Sequence, residues 1–359
     1  MNAINGYVIA PRQLAIALRE SGHSAKIFCR ISPKNLMTNE APEDFIKITI
    51  DPINNQKLIK EFSPDIVVAN SNYPTDIMLI DYAHKNKVLS FYYVHSRIES
   101  LLKTRLFLGE YWPDFVMSSI IKVFKDAIKS VDVIVALNEE MEKYVKGLFP
   151  GRVIEIIGNG INLDLFKYHE REVNPNKKIN LLYVANFEAR KNQLYMIKVM
   201  ENLPNNYILH LVGGPEDPKY HAKFIRALKE YKRGNIVYHG KLGLENLLPL
   251  YDESHVFVNS SKMEAQSLVL MEAIASGLPI VRLFGRETEG VTINDLTAIH
   301  IDENADPVEF ANALESLVNN PESYRKINEA QLKEREKFGR KRASEQLLQV
   351  VNKYNENLV

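Results

Sequence analysis

Cysteine is almost absent from this chain, because Cys29 is the single one in 359 residues. One thiol cannot form an internal disulfide, so a disulfide-stabilised scaffold and a metal site built from several cysteines are both excluded. Long hydrophobic runs are also missing, and no apolar stretch reaches the roughly 20 residues that a membrane-spanning helix needs. The first residues lack the apolar core of a signal peptide, so we expect a cytoplasmic protein.

An excess of charge of either sign is missing as well. Lys plus Arg and Asp plus Glu amount to 45 each, which gives a formal net charge of +0. Nothing in this balance steers the chain to nucleic acid or to an anionic surface. The contents of hydrophobic residues (45%) and charged residues (25%) are those of an ordinary globular protein, and the length favours two domains.

What is present is a regular alternation of short β-branched or aromatic runs with helical patterns, which is typical of parallel sheets built from βαβ units. The predicted strands are residues 25–31, 45–50, 66–70, 88–95, 132–137, 152–157, 181–185, 207–212, 235–239, 255–259, 279–284 and 298–301. The predicted helices include residues 75–87, 114–129, 139–148, 193–201, 220–231 and 244–251. The pattern therefore predicts an α/β protein with two doubly wound domains, which bind ligands at the carboxyl ends of their strands.

The domain boundary is predicted in the turn-rich and polar stretch after Asn159, with the polar run Tyr168–Lys178 as the linker. The first domain then comprises residues 1–167 and the second comprises residues 168–339. We expect the C-terminal helix, residues 340–359, to pack back on the first domain.

The start of the chain departs from the usual pattern of a doubly wound domain. Such a domain opens with a central strand, but there is no room for a full strand before Gly6. A sheet without its central strand would have unpaired edges inside it. Either the chain is a truncated form, or residues near Ile4 or in Tyr7–Ile9 substitute for the strand.

The most informative stretch runs from Lys262 to Val281. It contains a predicted helix with Ser267 as its N-cap and Gly277 at its end. Glu264 precedes the helix, where backbone N–H groups and the positive helix end make an anion site. Glu272 lies in the second turn among small and apolar neighbours, so we favour a functional role over that of a solvated glutamate.

The sequence Glu264-Ala-Gln-Ser-Leu-Val-Leu-Met-Glu272, continued by Ala-Ile-Ala-Ser-Gly-Leu-Pro, resembles glycosyltransferase family 4. It matches the Glu-x7-Glu motif of these enzymes, which are also called glycosyl transferases group 1. The likeness covers nearly the whole chain and is most specific from Leu181 to Val281. Supporting matches are Leu14–His23, Asn159–Phe166, Leu182–Gln193, Leu211–Gly214 and Val237–Leu242.

The resemblance implies the GT-B fold, in which two Rossmann-like domains face each other across a cleft. It also implies a retaining transfer of a hexose or N-acetylhexosamine from a UDP- or GDP-sugar, with no metal ion and no cofactor. The acceptor would be a glycan, a lipid-linked molecule or a small molecule. Two alternatives stay open: an isomerase of the UDP-GlcNAc 2-epimerase type, and a non-catalytic GT-B subunit of a glycosyltransferase complex. The paired glutamates favour the transferase.

For the leaving diphosphate, the resemblance implies contacts with Lys191 and with the start of the predicted helix. Without a metal, the growing negative charge must be met by cations, backbone N–H groups and the helix dipole. The N–H groups expected there are those of Ser267, Leu268 and Val269. The family usually has an arginine where this chain has Asn186, and Arg190 is the candidate to replace it. A solvated pair of cations is the alternative for Arg190 and Lys191.

The two glutamates have separate implied roles. Glu272 would accept hydrogen bonds from the ribose 2′- and 3′-hydroxyls, which suit the paired oxygens of a carboxylate. Glu264 would bind hydroxyls of the transferred sugar, since the phosphates would repel its charge. The family's usual Phe-Gly between the glutamates is Gln266-Ser267 here.

Three further residues are candidates by resemblance. His95, at the end of a predicted strand, corresponds to a histidine that faces the donor sugar, although a structural histidine is an equal alternative. Gly6 is the candidate for a glycine turn near the phosphates, and Leu242 is a candidate for a backbone contact with the base.

The stretch Arg97–Lys129 is long for a connection and rich in large apolar residues. We favour ordinary helix packing for it. The alternatives are an acceptor pocket or a membrane contact for a lipid acceptor, and the mixed charges of the stretch argue against a membrane.

Overall fold

The computed structural model describes residues 6–29, 45–47, 51–71, 74–98, 114–285 and 290–355. The chain divides into a first unit, Met1–Gly160 with Arg340–Val359, and a second unit, Ile161–Gly339. No helix within the described ranges is long and apolar enough to cross a membrane.

The first unit contains two parallel sheets in its described part. One pairs two short strands, and the other has four strands in the order β3-β4-β5-β6. The strands are β1 (Ile27–Cys29), β2 (Phe45–Lys47), β3 (Ile66–Ala69), β4 (Leu89–Val94), β5 (Val133–Ala136) and β6 (Ile154–Ile156). The helices are α1 (Gly6–Glu20), α2 (Pro52–Phe62), α3 (Pro74–Asn86), α4 (Asp114–Ala127), α5 (Glu139–Leu148) and the C-terminal helix (Arg340–Asn355).

The C-terminal helix packs in the first unit, beside α1. Leu347 and Val351 are buried in the same apolar cluster as Leu18 of α1 and Phe91 of β4. At the start of the C-terminal helix, the Arg340 guanidinium forms an ion pair with Glu20 at the end of α1.

The start of the chain does not form the elements considered for it. Gly6 is the first residue of α1, so it lies at a helix start and not in a glycine turn, and Tyr7–Ile9 are helical and not a substitute strand. The reason is the apolar spacing of the residues that follow, which buries Ala10, Leu18 and their neighbours along one helix face. Ile4 lies outside the described residues.

Most of the apolar stretch after Arg97 also lies outside the described residues, including Leu101–Trp112. Phe124 of α4 is described and is 6% exposed. Its ring contacts Tyr92 at 5.7 Å and Phe149 at 5.9 Å between centroids. Phe124 therefore takes part in ordinary packing of a helix on a sheet.

The second unit has one six-stranded parallel sheet in the order β12-β11-β10-β7-β8-β9. The strands are β7 (Ile179–Val184), β8 (Tyr207–Val212), β9 (Ile236–Gly240), β10 (Val256–Asn259), β11 (Ile280–Phe284) and β12 (Ala298–Asp302). The helices are α6 (Gln193–Asn202), α7 (Pro218–Glu230), α8 (Leu244–Glu253), α9 (Leu268–Ala275), α10 (Pro307–Val318) and α11 (Pro321–Glu334). The strand order reverses between β7 and β10, so ligands are expected at the carboxyl ends of these two strands.

The helix of the paired-glutamate motif, α9, is enclosed on most sides. Leu270, Met271 and Ile274 are all 0% exposed. The helix begins after Ser267 and ends before Gly277, whose φ of +65° suits a residue without a side chain. This burial fits the sequence of α9, which is apolar at every position except Glu272.

The first boundary lies seven residues earlier than the sequence predicted, because Ile161–Lys167 belong to the second unit. The ring of Phe166 is 5.2 Å from that of Tyr251. The Arg335 guanidinium donates to the carbonyls of Leu163 (3.1 Å) and Phe166 (3.3 Å). These contacts hold the turn-rich segment in the second unit.

The polar run Tyr168–Lys178 is likewise not a linker between the units. Arg171 is 8% exposed and donates to four backbone carbonyls of the second unit. Those carbonyls belong to Tyr251, Asp252, Ser254 and Ser276. Arg171 is buried within this otherwise mostly exposed run because its guanidinium satisfies backbone carbonyls at the ends of α8 and α9.

Candidate active site

Two loops leave the carboxyl ends of β7 and β10, at the reversal of the strand order. They are residues 185–192 and 260–267, and direct hydrogen bonds join them. The Lys262 N–H donates to the Arg190 carbonyl (2.8 Å), and the Ser260 hydroxyl donates to the Asn192 carbonyl (3.0 Å). The two loops therefore form one connected surface at the expected ligand-binding edge.

Buried hydroxyl groups hold the backbone carbonyl of Lys191 in place through hydrogen bonds. Tyr183 of β7 is 1% exposed, and its hydroxyl donates to the Lys191 carbonyl. The Ser260 hydroxyl donates to the same carbonyl at 3.2 Å. Ser261 lies 3.3 Å from the Tyr183 hydroxyl. No motif in the sequence marks these three residues, although the two polar residues directly after the buried strand β10, Ser260 and Ser261, are a visible signal.

The side chains of Lys191 and Glu264 form an ion pair between the two loops. Their side chains are only 11% and 10% exposed, so water screens the pair little. Burial works to raise the pKa of Glu264, but the charges of Lys191 and Arg190 outweigh it and hold the pKa below its ordinary value. Glu264 is therefore ionised at neutral pH, and the structure brings together two residues whose contact the sequence did not predict.

Arg190 lies on the same turn as Lys191 and is partly exposed. Its Nη2 atom is 2.6 Å from Glu188, and its Nη1 atom donates to the Met263 carbonyl at 3.3 Å. Asn186, at the family's arginine position, accepts a hydrogen bond from Gln193 through its backbone carbonyl (2.9 Å). The site thus has a second cation, on the loop that carries Asn186.

The ends of β8 and β9 complete the same edge of the sheet. Gly213 follows β8 with a φ of +155°, and a Cβ atom there would lie 1.9 Å from the Ala185 carbonyl oxygen. Only glycine permits this close approach. Leu242 follows β9 and is partly buried in the loop before α8. Because all these strands are parallel, Asn186, Gly213 and Leu242 lie at the edge that carries Lys191.

Glu272 lies in α9 with its carboxylate against a buried phenol. The Tyr251 hydroxyl donates to Glu272 Oε2 at 2.8 Å. Tyr251 is 0% exposed and its ring is parallel to that of Phe257. Burial raises the pKa of Glu272 to about 7, although the Tyr251 hydrogen bond works in the opposite direction. Tyr251 is a further residue that the sequence analysis missed.

The start of α9 offers backbone donors beside Glu264. Ser267 is its N-cap residue, but among the described residues its hydroxyl makes no capping bond. The first N–H groups of a helix have no partner within the helix. The groups of this kind at α9 are those of Ser267, Leu268 and Val269. Together with the helix dipole, N–H groups of this kind favour anions.

A buried arginine lies beside this surface and was not predicted. Arg282 of β11 is 0% exposed, and its Nη1 atom donates to the Thr292 hydroxyl at 3.1 Å. Burial lowers its pKa to about 10, while the charge of Glu264 acts to raise it. A charged residue inside the apolar run Pro279–Phe284 was the available signal.

In the first unit, His95 directly follows β4. Its Nε2 atom is 3.1 Å from Asn70 Oδ1, and its ring stacks on Tyr93 at 5.9 Å. Burial lowers the pKa of His95 to about 4. The imidazole is therefore neutral at physiological pH.

Comparison with known families gives the identity of the fold. The family model described as Glycosyltransferase Family 4 matches residues 4–165, and the model described as Glycosyl transferases group 1 matches residues 165–334. The chain belongs to this glycosyltransferase family. The Glu-x7-Glu segment, Lys191 and Arg190 all lie within the second match.

Solved structures agree in fold. Sucrose-phosphate synthase from Thermosynechococcus elongatus superposes with a TM-score of 0.80 at 19% identity, covering 98% of this chain and 94% of that one. HepE of Anabaena, in complex with UDP, superposes with a TM-score of 0.76 at 13% identity, and the superposition covers 98% of both chains. WaaG, a glycosyltransferase involved in lipopolysaccharide biosynthesis, superposes with a TM-score of 0.66 at 16% identity, and the superposition covers 93% of both chains. The fold is GT-B.

A curated relative is an uncharacterized 41.2 kDa protein from the cps region of Klebsiella pneumoniae. It is 28% identical over 136 residues, which is 36% of this chain and 36% of the relative. The match therefore spans about a third of that protein's length.

Within the described ranges, there is no group of three or more His, Cys, Asp or Glu side chains placed to hold a metal ion. Lys191, Arg190 and the buried Arg282 place positive charge near Glu264.

Proposed function

We propose that this protein is a retaining glycosyltransferase that moves a hexose or N-acetylhexosamine from a UDP- or GDP-sugar to an acceptor without a metal ion. The observation that carries the proposal is the buried Lys191–Glu264 pair at the carboxyl ends of β7 and β10. The anion-binding start of α9 lies directly after it. HepE and its complexes with UDP and with UDP-glucose support a uridine nucleotide as the donor.

In this proposal, the donor diphosphate replaces Glu264 as the partner of Lys191. The leaving diphosphate gains negative charge in the transition state, and a preorganised cation with helix N–H groups stabilises that charge. Glu264, released from Lys191, accepts hydrogen bonds from the sugar hydroxyls. Arg190 supplies the second cation that the family has at the position of Asn186.

The nucleoside is bound further along the same edge of the sheet. Glu272 accepts hydrogen bonds from the ribose hydroxyls, and the backbone at Leu242 contacts the base. In the first unit, His95 serves the transferred sugar. The acceptor is a glycan, a lipid-linked molecule or a small molecule, the location is cytoplasmic, and membrane contact is the less favoured alternative.

Donor choice is tested by thermal shift with UDP-Glc, UDP-GlcNAc, UDP-Gal and GDP-Man. Binding to the folded state raises the unfolding midpoint by mass action, so the preferred donor gives the largest shift. Identification of the sugar released by slow donor hydrolysis separates the transferase from an epimerase, which would release the epimerised sugar. A non-catalytic subunit would release none.

The diphosphate role is tested with Lys191→Ala and Arg190→Ala, and Lys262→Ala is the matched control. Lys262 is exposed on the same pair of loops, and its structural contact with Arg190 is made by its backbone N–H, which alanine keeps. We expect transfer to fall about 100-fold or more in the first two variants and to stay near wild type in the third. Unchanged turnover in Lys191→Ala or Arg190→Ala would remove that residue from the proposal. Activity that survives chelation by EDTA would support transfer without a metal.

A further inference from the structure

We propose that Asn70 is a positioning residue that holds His95 in one orientation as the tautomer with its hydrogen on Nε2. The two residues follow neighbouring parallel strands, since β3 pairs with β4 in the register Ala69 to Tyr92. His95 Nε2 lies 3.1 Å from Asn70 Oδ1. An amide oxygen can only accept a hydrogen bond, so Nε2 must carry the hydrogen.

The asparagine is itself fixed by a carboxylate. The N–H groups of Asn70 and Ser71 donate to Asp76 Oδ1 at 2.8 and 3.2 Å, and the Ser71 hydroxyl donates to Asp76 Oδ2 at 2.6 Å. Asp76 lies in the first turn of α3. Its carboxylate thus ties the loop after β3 to a helix start, and the amide of Asn70 is presented to His95 from a fixed backbone.

The imidazole ring is also fixed on its face. The rings of Tyr93 and His95 are 5.9 Å apart between centroids and inclined by 20°. Burial raises the pKa of the Tyr93 hydroxyl and lowers that of His95 to about 4. Both rings therefore stay neutral at physiological pH. A neutral ring with hydrogen on Nε2 has its lone pair on Nδ1.

This inference rests on the proposed function where it concerns catalysis, because the purpose of a fixed neutral imidazole is to meet a hydroxyl of the transferred sugar. The positioning itself is a property of the ligand-free protein. It can therefore be measured without any donor or acceptor.

The test is nitrogen NMR of the full-length protein labelled with 15N-histidine, with His95→Gln used to assign the His95 signals. In the wild type we expect the hydrogen on Nε2 and no protonation of the ring down to about pH 5. In Asn70→Asp, a carboxylate faces the ring and stabilises the imidazolium, so the titration midpoint should rise by about two pH units. In Asp76→Ala, the loop is released and the two tautomers should mix.

The matched control is Asn54→Asp, because Asn54 is an exposed residue of α2 in the same unit. In this variant, His95 should titrate as it does in the wild type. Asn70→Ser, which is smaller and carries no charge, covers the case in which Asn70→Asp fails to fold. It should lose the single tautomer without gaining the raised midpoint. Hydrogen on Nδ1 in the wild type, or a midpoint in Asn70→Asp equal to that in Asn54→Asp, would overturn the proposal.

Kinetics then separate the two claims. If His95 serves the sugar, Asn70→Asp should lose kcat below its raised midpoint while KM for the donor changes less. If NMR gives the expected tautomer but His95→Gln transfers at the wild-type rate, the role of His95 in transfer is wrong and the positioning by Asn70 stands.

Discussion

At the scale of single residues, the carboxyl group of Glu272 shows how burial sets a binding property. An ordinary glutamate is fully ionised at neutral pH, but burial raises the pKa of Glu272 to about 7. Its hydrogen-bond partner Tyr251 donates a hydrogen bond to the carboxylate and stabilises the ionised form only in part. Protonation turns one carboxyl oxygen into an O–H donor, so the neutral group is a poorer acceptor for two hydroxyls than the carboxylate. If Glu272 binds the ribose as proposed, nucleotide binding is strongest above the pKa of Glu272.

We predict that UDP binds more tightly as the pH rises from 6 to 8. Below pH 7 the protonated form of Glu272 dominates and must lose its proton, which weakens binding by up to about tenfold per pH unit. Isothermal titration calorimetry at several pH values measures this slope. Glu272→Gln should bind about 10-fold more weakly at pH 8 and lose most of the slope. An equal slope in wild type and Glu272→Gln would assign the titration to another group.

The Lys191–Glu264 pair should also contribute to stability. Lys191→Met leaves a buried carboxylate without its main partner, and we predict a loss of about 3 kcal/mol in the free energy of unfolding. The double variant Lys191→Met, Glu264→Gln should recover most of that loss. As the control, Lys57→Met breaks the exposed Lys57–Glu61 pair and should cost less than about 0.5 kcal/mol.

The coupling energy between Lys191 and Glu264 should depend on pH and should weaken in acid. The pKa of Glu264 is held below its ordinary value of 4.5, so the stabilisation is present above that value and is lost as the pH falls through the folded pKa. Urea unfolding of the wild type, Lys191→Met, Glu264→Gln and the double variant at pH 7 and at acidic pH measures this coupling. A coupling that does not weaken in acid would contradict an ionised Glu264.

At the scale of elements, the junction of β7 and β8 depends on a glycine. We predict that Gly213→Ala destabilises the protein by about 3 kcal/mol or more, because the new methyl group would meet the Ala185 carbonyl oxygen. Gly234→Ala is the control, since Gly234 also has a positive φ, of +72°, but a Cβ atom there would meet no atom within 4 Å. It should cost only the backbone strain of about 1 kcal/mol. Equal urea unfolding midpoints for Gly213→Ala and Gly234→Ala would show that the backbone moves away from the new methyl group without loss of stability.

The elements themselves were largely predictable from the sequence. Buried strands such as β10 and β11 are runs of β-branched and aromatic residues, and α5 was predicted with the bounds Glu139–Leu148 that the structure has. Their patterns depend on local burial, which a sequence shows directly. By contrast, the polar run around Arg171 predicts a linker, and the sequence gives no sign of its burial because the four carbonyl partners of Arg171 come from distant parts of the chain.

The candidate site was predictable as a set of residues and not as a set of contacts. Glu264, Glu272 and Lys191 were found from a motif and from their place after buried strands. The Lys191–Glu264 pair, the Tyr251–Glu272 bond and the Asn70–His95 bond each join residues that are far apart in sequence. Such pairings follow from strand order and register, which a single sequence does not specify.

At the scale of the whole molecule, the chain forms two units, and the second is continuous in sequence from Ile161 to Gly339. It contains its own six-stranded sheet and its own large apolar cluster. Such a segment has what an independently folding domain needs. It also contains Lys191, Glu264 and Glu272, so it should retain nucleotide binding while lacking His95 and Asn70.

We predict that the isolated segment 161–339 folds cooperatively and binds UDP but transfers no sugar. The fragment 168–339, cut at the boundary that the sequence suggested, is the matched comparison. It lacks Phe166, which is 5% exposed and contacts Tyr251, and it lacks the bond from the Ile161 N–H to the Phe338 carbonyl. Loss of one buried aromatic side chain costs about 3 kcal/mol. For a domain of this size, that lowers the unfolding midpoint by about 6–12 °C. Calorimetry of both fragments measures the difference, and equal midpoints would place the boundary of the second unit after Phe166.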